Sequence, residues 1–226
     1  MGLAASAGPL VQWGWISSQE GLVLSLLLQH VELTAIAVAV GLLISLPLGV
    51  LAWRLRALRA TLFGFAGVLY VVPSIALLSL VAPLTGYFSV TTAEVALVSY
   101  TLLILMRNTV AGLESVPQDV SESALAMGYS PLQVFWRVQF PLALPSVLAG
   151  ARIATVTVVG LVNVTALLGQ GGLGQLVVQG FTEDFNTPVV VGLVLSVLLA
   201  GVADGLLVLV ERASTPWSRM ASRGAR

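Results

Sequence analysis

The sequence lacks cysteine and lysine, has one histidine, and carries few charges of either sign. Without cysteine, the chain has no disulfide, thiol catalysis or cysteine-bound metal. The single histidine, His30, cannot form a histidine metal cluster, so no metal site is expected. Charged residues make up 9% of the 226 residues, against about 25% in soluble domains. So few charges cannot cover a globular surface with solvated groups, and lipid must cover much of it.

The chain is rich in long apolar stretches. Hydrophobic residues make up 58% of the chain, and the mean hydropathy is +1.00. A bilayer crossing needs about 20 apolar residues, and five stretches approach or exceed that length: 31–53, 61–84, 90–106, 142–168 and 188–210. Backbone groups in lipid must pair within their own segment, so these stretches are expected to be helices. The sequence predicts an all-α, polytopic membrane protein with five core transmembrane helices in a single domain covering residues 1–226.

Residues 10–28 precede these spans and are apolar, but two tryptophans, two serines and a glutamate interrupt them. Tryptophan is enriched at membrane interfaces, so an interfacial segment is expected here, with a sixth N-terminal spanning helix as the alternative. No basic residue occurs before Arg54. The N-terminus therefore lacks the positive region of a signal peptide and is expected to be mature protein.

The arginines indicate the orientation of the spans. Apart from Arg152, which lies within span four, they lie between spans one and two, around the long connection between spans three and four, and in the tail, residues 211–226. With five spans these regions fall on one side, which the positive-inside rule assigns to the cytoplasm. The opposite loops contain no basic residue. We expect a multi-pass membrane protein with these regions in the cytoplasm.

The cytoplasmic connection, residues 108–141, is much longer than the 2–8 residues that usually join two helices. Its pattern predicts two short helices with a turn between them. Ser121 can cap the first helix, and Gly128 can end it in a left-handed conformation. Ser130 can cap the second helix, with Pro131 at its first position. Such a helix pair suits transmission of a partner's motion.

The second helix should have an apolar face. Leu132, Phe135 and Trp136 have the i, i+3, i+4 spacing of residues on one side of a helix. Small residues on the first helix would let another protein approach closely. An ordinary helical hairpin between two spans is the alternative interpretation.

This connection resembles the EAA loop of ABC importer permeases. The matching elements are Glu122-Ser123-Ala124, then Gly128, then Val138-Gln139-Phe140-Pro141. The sequence departs from the family pattern by Ser123 in place of an alanine and by Val138 and Phe140 in place of isoleucine and leucine. The resemblance implies that Glu122, Ser123, Ala124, Gly128, Val138 and Pro141 belong to a coupling helix and its support, which contact a cytoplasmic ATPase.

The resemblance extends from about residue 29 to residue 210. Segments similar to the glycine betaine, choline and carnitine osmoprotectant permeases are Gln29-His30-Val31-Glu32-Leu33-Thr34, Val72-Pro73-Ser74-Ile75-Ala76, Leu105-Met106-Arg107-Asn108-Thr109 and Ala166-Leu167-Leu168-Gly169-Gln170-Gly171-Gly172-Leu173-Gly174. This implies a type I ABC importer permease fold and, as substrate, a quaternary amine osmolyte. An amino acid such as methionine is the alternative substrate. A self-contained secondary transporter is a further alternative, although no paired repeats are visible.

The same resemblance implies the partners. They are a second permease subunit (identical or paralogous), two cytoplasmic ATPase subunits, an extracytoplasmic solute-binding protein and membrane lipid, with no nucleic acid. ATP and magnesium would bind to the ATPase, and this chain would carry no cofactor. The chain contains no ATP-binding motif, and no catalytic residue is expected in it.

Polar residues within the spans are candidate pathway or packing residues. Thr157, Gly160 and Asn163 fall on one side of span four. They could line a pathway, or they could pack against a neighbouring helix through small residues and one hydrogen bond. Arg152 and Asp204 are expected to form an intramembrane ion pair, with a role in gating as the alternative.

The outer loop after span four contains a glycine run and two acidic residues. Gly171, Gly172, Glu183 and Asp184 are candidates for contact with the solute-binding protein. A plain connecting turn is the alternative. His30 is expected at the membrane interface, at the head of span one.

Overall fold

The computed structural model describes residues 10–216, which form ten α-helices and no strand. The expected tail lies outside this part of the chain from residue 217 onward, as do residues 1–9. The helices are α1 (Trp13–Ser18), α2 (Glu20–Arg54), α3 (Arg56–Val71), α4 (Ser74–Thr85), α5 (Val90–Glu114), α6 (Gln118–Ala126), α7 (Pro131–Val134), α8 (Phe140–Thr165), α9 (Gly174–Thr182) and α10 (Asn186–Ser214). A π-helical turn (Phe135–Gln139) joins α7 to α8, and a 3₁₀ turn (Ala166–Leu168) follows α8.

Within the described residues, four helical segments are long and apolar enough to cross a membrane. They are α2, α5, the stretch Pro131–Leu168 that contains α8, and α10. The fifth candidate crossing is a bent pair, because α3 and α4 meet at an angle of 102°. Pro73 lies at this break. Proline has no backbone N–H and disfavours a helical conformation at the preceding residue, so it interrupts the helix. The predicted count of five spans agrees with this arrangement.

The first span begins earlier than predicted. Helix α2 contains 35 residues and starts at Glu20, which gives it a length of about 52 Å. The expected boundary between residues 28 and 31 is wrong, because no helix breaker occurs there. Residues 10–28 form α1 and the first turns of α2, and no separate sixth spanning helix occurs between residues 10 and 216.

The third span ends later than predicted. Helix α5 runs to Glu114, past the expected end at residue 106. Arg107 is exposed and can extend along the helix surface, so its charge does not end the helix. The Asn108 side-chain amide donates to the Ile104 carbonyl at 2.8 Å within the same helix. The cytoplasmic connection therefore begins at Ser115.

Helices α2 and α5 pack through small residues. A Cβ atom at Gly41 would lie 2.1 Å from the Thr101 hydroxyl oxygen, and one at Gly49 would lie 2.8 Å from the Thr109 Cβ. Close approach of this kind is typical of helix packing in membranes. The two contacts advance together along both helices, so α2 and α5 run parallel.

Helices α5 and α8 cross the centre of the bundle in opposite directions. A Cβ atom at Gly112 would lie 2.7 Å from the Ala143 carbonyl oxygen, and one at Gly150 would lie 2.5 Å from the Asn108 Cβ. In the outer half of the bundle, apolar residues of α2, α5 and α8 form a buried cluster: Leu33, Ala37, Leu97, Val158 and Val162. These three helices therefore form the frame that positions the candidate sites at the cytoplasmic end and at the outer end of the bundle.

Candidate coupling and translocation sites

The end of α6 has the geometry that the sequence predicts. Gly128 has φ +88°, a left-handed conformation that favours glycine. The Tyr129 N–H donates to the Ala124 carbonyl at 3.2 Å, and the Gly128 N–H donates to the Leu125 carbonyl at 2.9 Å. This pair of hydrogen bonds forms a Schellman motif, which satisfies the last carbonyls of α6.

The start of α6 differs from the prediction. The helix begins at Gln118, directly after Pro117, whose fixed φ suits the entry to a helix. Ser121 lies inside the helix and does not cap it. Its hydroxyl accepts a hydrogen bond from the Gln139 side chain at 3.2 Å. This contact ties α6 to the π-helical turn.

The second short helix begins as predicted. The Ser130 hydroxyl accepts from the Gln133 N–H, and the Gln133 side chain accepts from the Ser130 N–H at 2.8 Å. Together these bonds form a capping box, with Pro131 at the first helical position. The connection between α6 and α7 is therefore fixed on both sides.

The predicted apolar face of the second helix is wrong. Leu132 and Trp136 are 61% and 56% exposed, whereas Phe135 is 4% exposed and packs with Leu113 and Trp53. Helix α7 has only four residues, and the π-helical turn starts at Phe135, so the regular helical spacing is lost there. The aromatic ring faces inward and anchors the connection to the bundle.

The tip of the connection exposes apolar side chains. Leu125, Met127 and Leu132 are 47%, 72% and 61% exposed. We call these three residues the coupling tip. The residues that the resemblance assigns to the coupling helix and its support differ in exposure. Glu122, Ser123 and Gly128 are exposed, Ala124 is buried, and Val138 and Pro141 are half-buried near the start of α8. Exposed apolar residues grouped at one end of a membrane protein indicate a surface for another protein.

Arg152 and Asp204 form an ion pair between α8 and α10. The Arg152 guanidinium donates to both carboxylate oxygens of Asp204, at 2.8 and 3.1 Å. It also donates to Glu211 at 3.3 Å. The sequence analysis missed Glu211, although it lies seven residues after Asp204 and therefore on the same side of α10. One arginine thus holds two carboxylates of the last helix.

This ion pair borders a pocket of about 500 Å³. Thr157 lines the same pocket, so the structure brings one predicted pathway residue next to the predicted pair. Gly160 is exposed, and a Cβ atom there would meet nothing within 4 Å. Asn163 accepts from the Ser196 hydroxyl at 3.2 Å. Asn163 therefore bonds α8 to α10, which is the packing interpretation of this residue.

Replacement of Arg152 by glutamine should destabilise the protein more than replacement of Asp204 by asparagine. Without Arg152, both carboxylates lose their partner inside the membrane. Without the Asp204 charge, Arg152 keeps Glu211. We expect a several-fold loss of monodisperse protein after detergent extraction for Arg152→Gln and a smaller loss for Asp204→Asn. Equal losses for the two variants would contradict the role of Glu211 as a second partner.

The glycine run at the outer end packs inward, which corrects one prediction. Gly171 and Gly172 are buried and do not face outward. A Cβ atom at Gly172 would lie 2.6 Å from the His30 Cβ, and one at Gly171 would lie 2.3 Å from the Ala166 Cα. Gly172 also has φ +48°. The two glycines let the loop lie against α2 and the end of α8, with no room for a side chain.

His30 is fully buried under this loop, and it lies ten residues after the start of α2 rather than at the head of that helix. Its Nε2 atom lies 3.1 Å from the Val159 carbonyl oxygen on α8. Its neighbour Gln29 accepts from the Gly172 N–H at 3.2 Å and from the Gln175 side chain at 2.9 Å. These bonds fasten the glycine loop to α2.

Glu183 and Asp184 are exposed at the turn between α9 and α10. Asp184 has φ +51°, and Glu183 accepts from the Gln179 side chain at 3.1 Å. The two carboxylates are accessible from the outer side. They are separated from the buried glycines, so the four residues that the sequence groups together do not form one surface.

Comparisons with known proteins agree with this architecture. The sequence profile of the family described as "Binding-protein-dependent transport system inner membrane component" matches residues 37–215. The osmoprotectant import permease protein OsmW of Salmonella typhimurium is 36% identical over 89% of this chain and 96% of its own length. The choline transport system permease protein OpuBB of Bacillus subtilis is 34% identical over 83% of this chain and 86% of its own length.

A solved structure supports the same assignment. A chain of the MetNI methionine ABC transporter in an inward-facing conformation is similar, with a TM-score of 0.80 and 27% identity. The similarity covers 88% of this chain and 98% of that chain. The family profile covers most of the sequence, and two relatives exceed 30% identity over most of their length. The chain therefore belongs to the family of binding-protein-dependent transport system inner membrane components.

Proposed function

We propose that this chain is the permease subunit of an ATP-driven ABC importer and forms one half of its translocation pathway. The coupling tip is the observation that carries this proposal. It presents three exposed apolar residues on a rigidly capped helix pair, at the end of the bundle where the arginines lie. A cytoplasmic ATPase is the partner that fits this surface.

The assembly contains a second permease subunit, identical or paralogous, two ATPase subunits and an extracytoplasmic solute-binding protein. ATP and magnesium bind to the ATPase subunits, and this chain hydrolyses nothing. ATP-driven closure of the ATPase pair brings the two coupling helices together. The α6–α7 connection passes this motion to α5 and α8 through Phe135, which packs against Leu113 and Ala143. The complex lies in the bacterial inner membrane.

The substrate is a quaternary amine osmolyte such as glycine betaine, choline or carnitine. The support for this class is similarity to permeases whose names carry those substrates or the term osmoprotectant. Methionine is the second candidate, because the similar solved structure belongs to a methionine transporter. The greater identity to the first group favours the osmolyte.

Uptake by the reconstituted importer tests this proposal. The chain is co-expressed with its genomically neighbouring ATPase and binding protein and placed in proteoliposomes that contain ATP. We expect uptake of radiolabelled choline, glycine betaine or carnitine, and none of methionine. An ATPase variant that cannot hydrolyse ATP is the control and should abolish uptake. Accumulation without ATP would contradict the importer and favour a secondary transporter.

A further inference from the structure

A second groove lies between α3 and α5, beside the break at Pro73. It has a volume of about 790 Å³, and its lining includes Gly64, Gly67, Tyr70 and Arg107. A Cβ atom at Gly64 or Gly67 would meet nothing within 4 Å, so this wall of the groove is bare. The volume is within the range of ligand pockets in proteins, which is about 300–1,000 Å³.

Arg107 supplies a positive charge that nothing in the described chain neutralises. The ion pairs of residues 10–216 are Arg59–Glu114, Arg152–Asp204 and Arg152–Glu211. Arg107 is absent from them, and its guanidinium lies 5.9 Å from the ring centre of Phe63. It precedes the cytoplasmic end of α5 by seven residues, or about 10 Å along the helix. Arg107 is exposed, so its guanidinium is available to a negatively charged group that enters the groove.

Tyr70 supplies an aromatic surface to the same groove. Its side chain is 40% exposed, and its ring packs edge-on against Tyr100, with 6.1 Å between ring centres. Tyr100 is buried, and its hydroxyl donates to the Val72 carbonyl next to the helix break. The hydrogen bond fixes Tyr100, and Tyr100 in turn supports Tyr70. An exposed and supported aromatic ring is suited to bind a quaternary ammonium group.

We propose that this groove is a permease subsite for a zwitterion with a carboxylate and a quaternary ammonium group, such as carnitine or glycine betaine. Arg107 pairs with the carboxylate, and the ring of Tyr70 contacts the ammonium group. The subsite rests on the proposed function and deepens it, because it distinguishes betaines from choline, which has no carboxylate.

Uptake ratios in the complete importer test the subsite. Arg107→Gln should lower the ratio of carnitine to choline uptake about tenfold, since one charge-assisted pair is lost for carnitine alone. Arg107→Lys keeps the charge without the planar fork and should give an intermediate ratio. The affinities of the binding protein, measured on that protein alone, provide the reference for each substrate. An unchanged ratio in Arg107→Gln would overturn the subsite.

Tyr70 variants test the other half of the site. Tyr70→Leu should lower uptake of carnitine and choline together, and Tyr70→Phe should retain both, because the aromatic face is kept. Equal uptake by Tyr70→Leu and Tyr70→Phe would overturn the aromatic contact. ATPase co-purification reports for each variant whether the importer has assembled.

Two further outcomes separate the subsite from its alternatives. If Arg107→Gln lowers uptake of all substrates equally, and only in vesicles that contain anionic phospholipid, Arg107 binds lipid and the subsite is overturned. If the wild-type importer transports choline but no betaine, the subsite fails and the proposed function stands. If it transports neither, the proposed function itself fails.

Discussion

Replacement of Leu125 by aspartate is expected to abolish association of the ATPase and, with it, ATP-driven uptake. Leu125 is 47% exposed on α6 and belongs to the coupling tip. A central apolar residue of an interface contributes about 2 kcal/mol or more, or roughly a 30-fold change in Kd. An aspartate buried there without a partner adds a desolvation cost to that loss. The fold of the permease should be retained, since the Leu125 side chain is exposed in the permease alone.

Co-purification of the tagged chain with its ATPase measures this effect. Leu125→Met is the matched control, because it keeps an apolar side chain of similar size at the same place. Gly128→Pro is an independent variant. Proline cannot adopt φ +88° or donate the N–H that bonds to the Leu125 carbonyl. Normal ATPase association by both Leu125→Asp and Gly128→Pro would show that the coupling tip is not the docking surface.

Replacement of Gly112 by valine is expected to prevent stable packing of α5 against α8. The added Cβ would lie 2.7 Å from the Ala143 carbonyl oxygen and 2.9 Å from the Ser146 Cβ. The nearest neighbour is a backbone atom in the first turn of α8 and cannot rotate away. Overpacking of this kind costs about 1–3 kcal/mol and more where the backbone must move. We expect little monodisperse protein and a lower unfolding temperature in detergent.

Gly201→Val is the matched control for this prediction. Gly201 also lies within a spanning helix, and a Cβ atom there would meet nothing within 4 Å. The two substitutions share the same change in helix propensity and in hydrophobicity, so only the contact differs. Equal unfolding temperatures for the two variants, measured by fluorescence during heating, would contradict the close contact between α5 and α8.

The sequence predicts the spans and the coupling connection well because both depend on local pattern. Apolar length sets the five crossings. Gly128 and Ser130 have the residue types that end and begin helices, and the structure has these features at those positions. The ends of the spans are less predictable. Arg107 marks the apparent end of span three, but a long side chain on a helix surface does not stop the helix.

Most of the features that the sequence analysis missed or placed wrongly depend on contacts between residues far apart in sequence. Nothing near Gly172 in sequence shows that its neighbour is His30, 142 positions earlier, so the sequence alone leads one to expect a loop that faces outward. The groove lined by Tyr70 and Arg107 could not be predicted from the sequence either, because α3 and α5 bring together two residues that are 37 positions apart. Glu211 is different. Its spacing from Asp204 is a local signal that could have identified it.

The π-helical turn at Phe135–Gln139 has a consequence for how the two ends of the connection are aligned. A π turn contains one residue more than the equivalent α-helical turn, since its hydrogen bonds run from i to i+5. That residue rotates everything before the turn by about 100° about the axis of α8, compared with an unbroken α-helix. The direction in which the coupling tip faces about the axis of α8 is therefore set by a single inserted residue. Deletion of Val138 would turn the tip by more than a quarter circle without changing any residue in it.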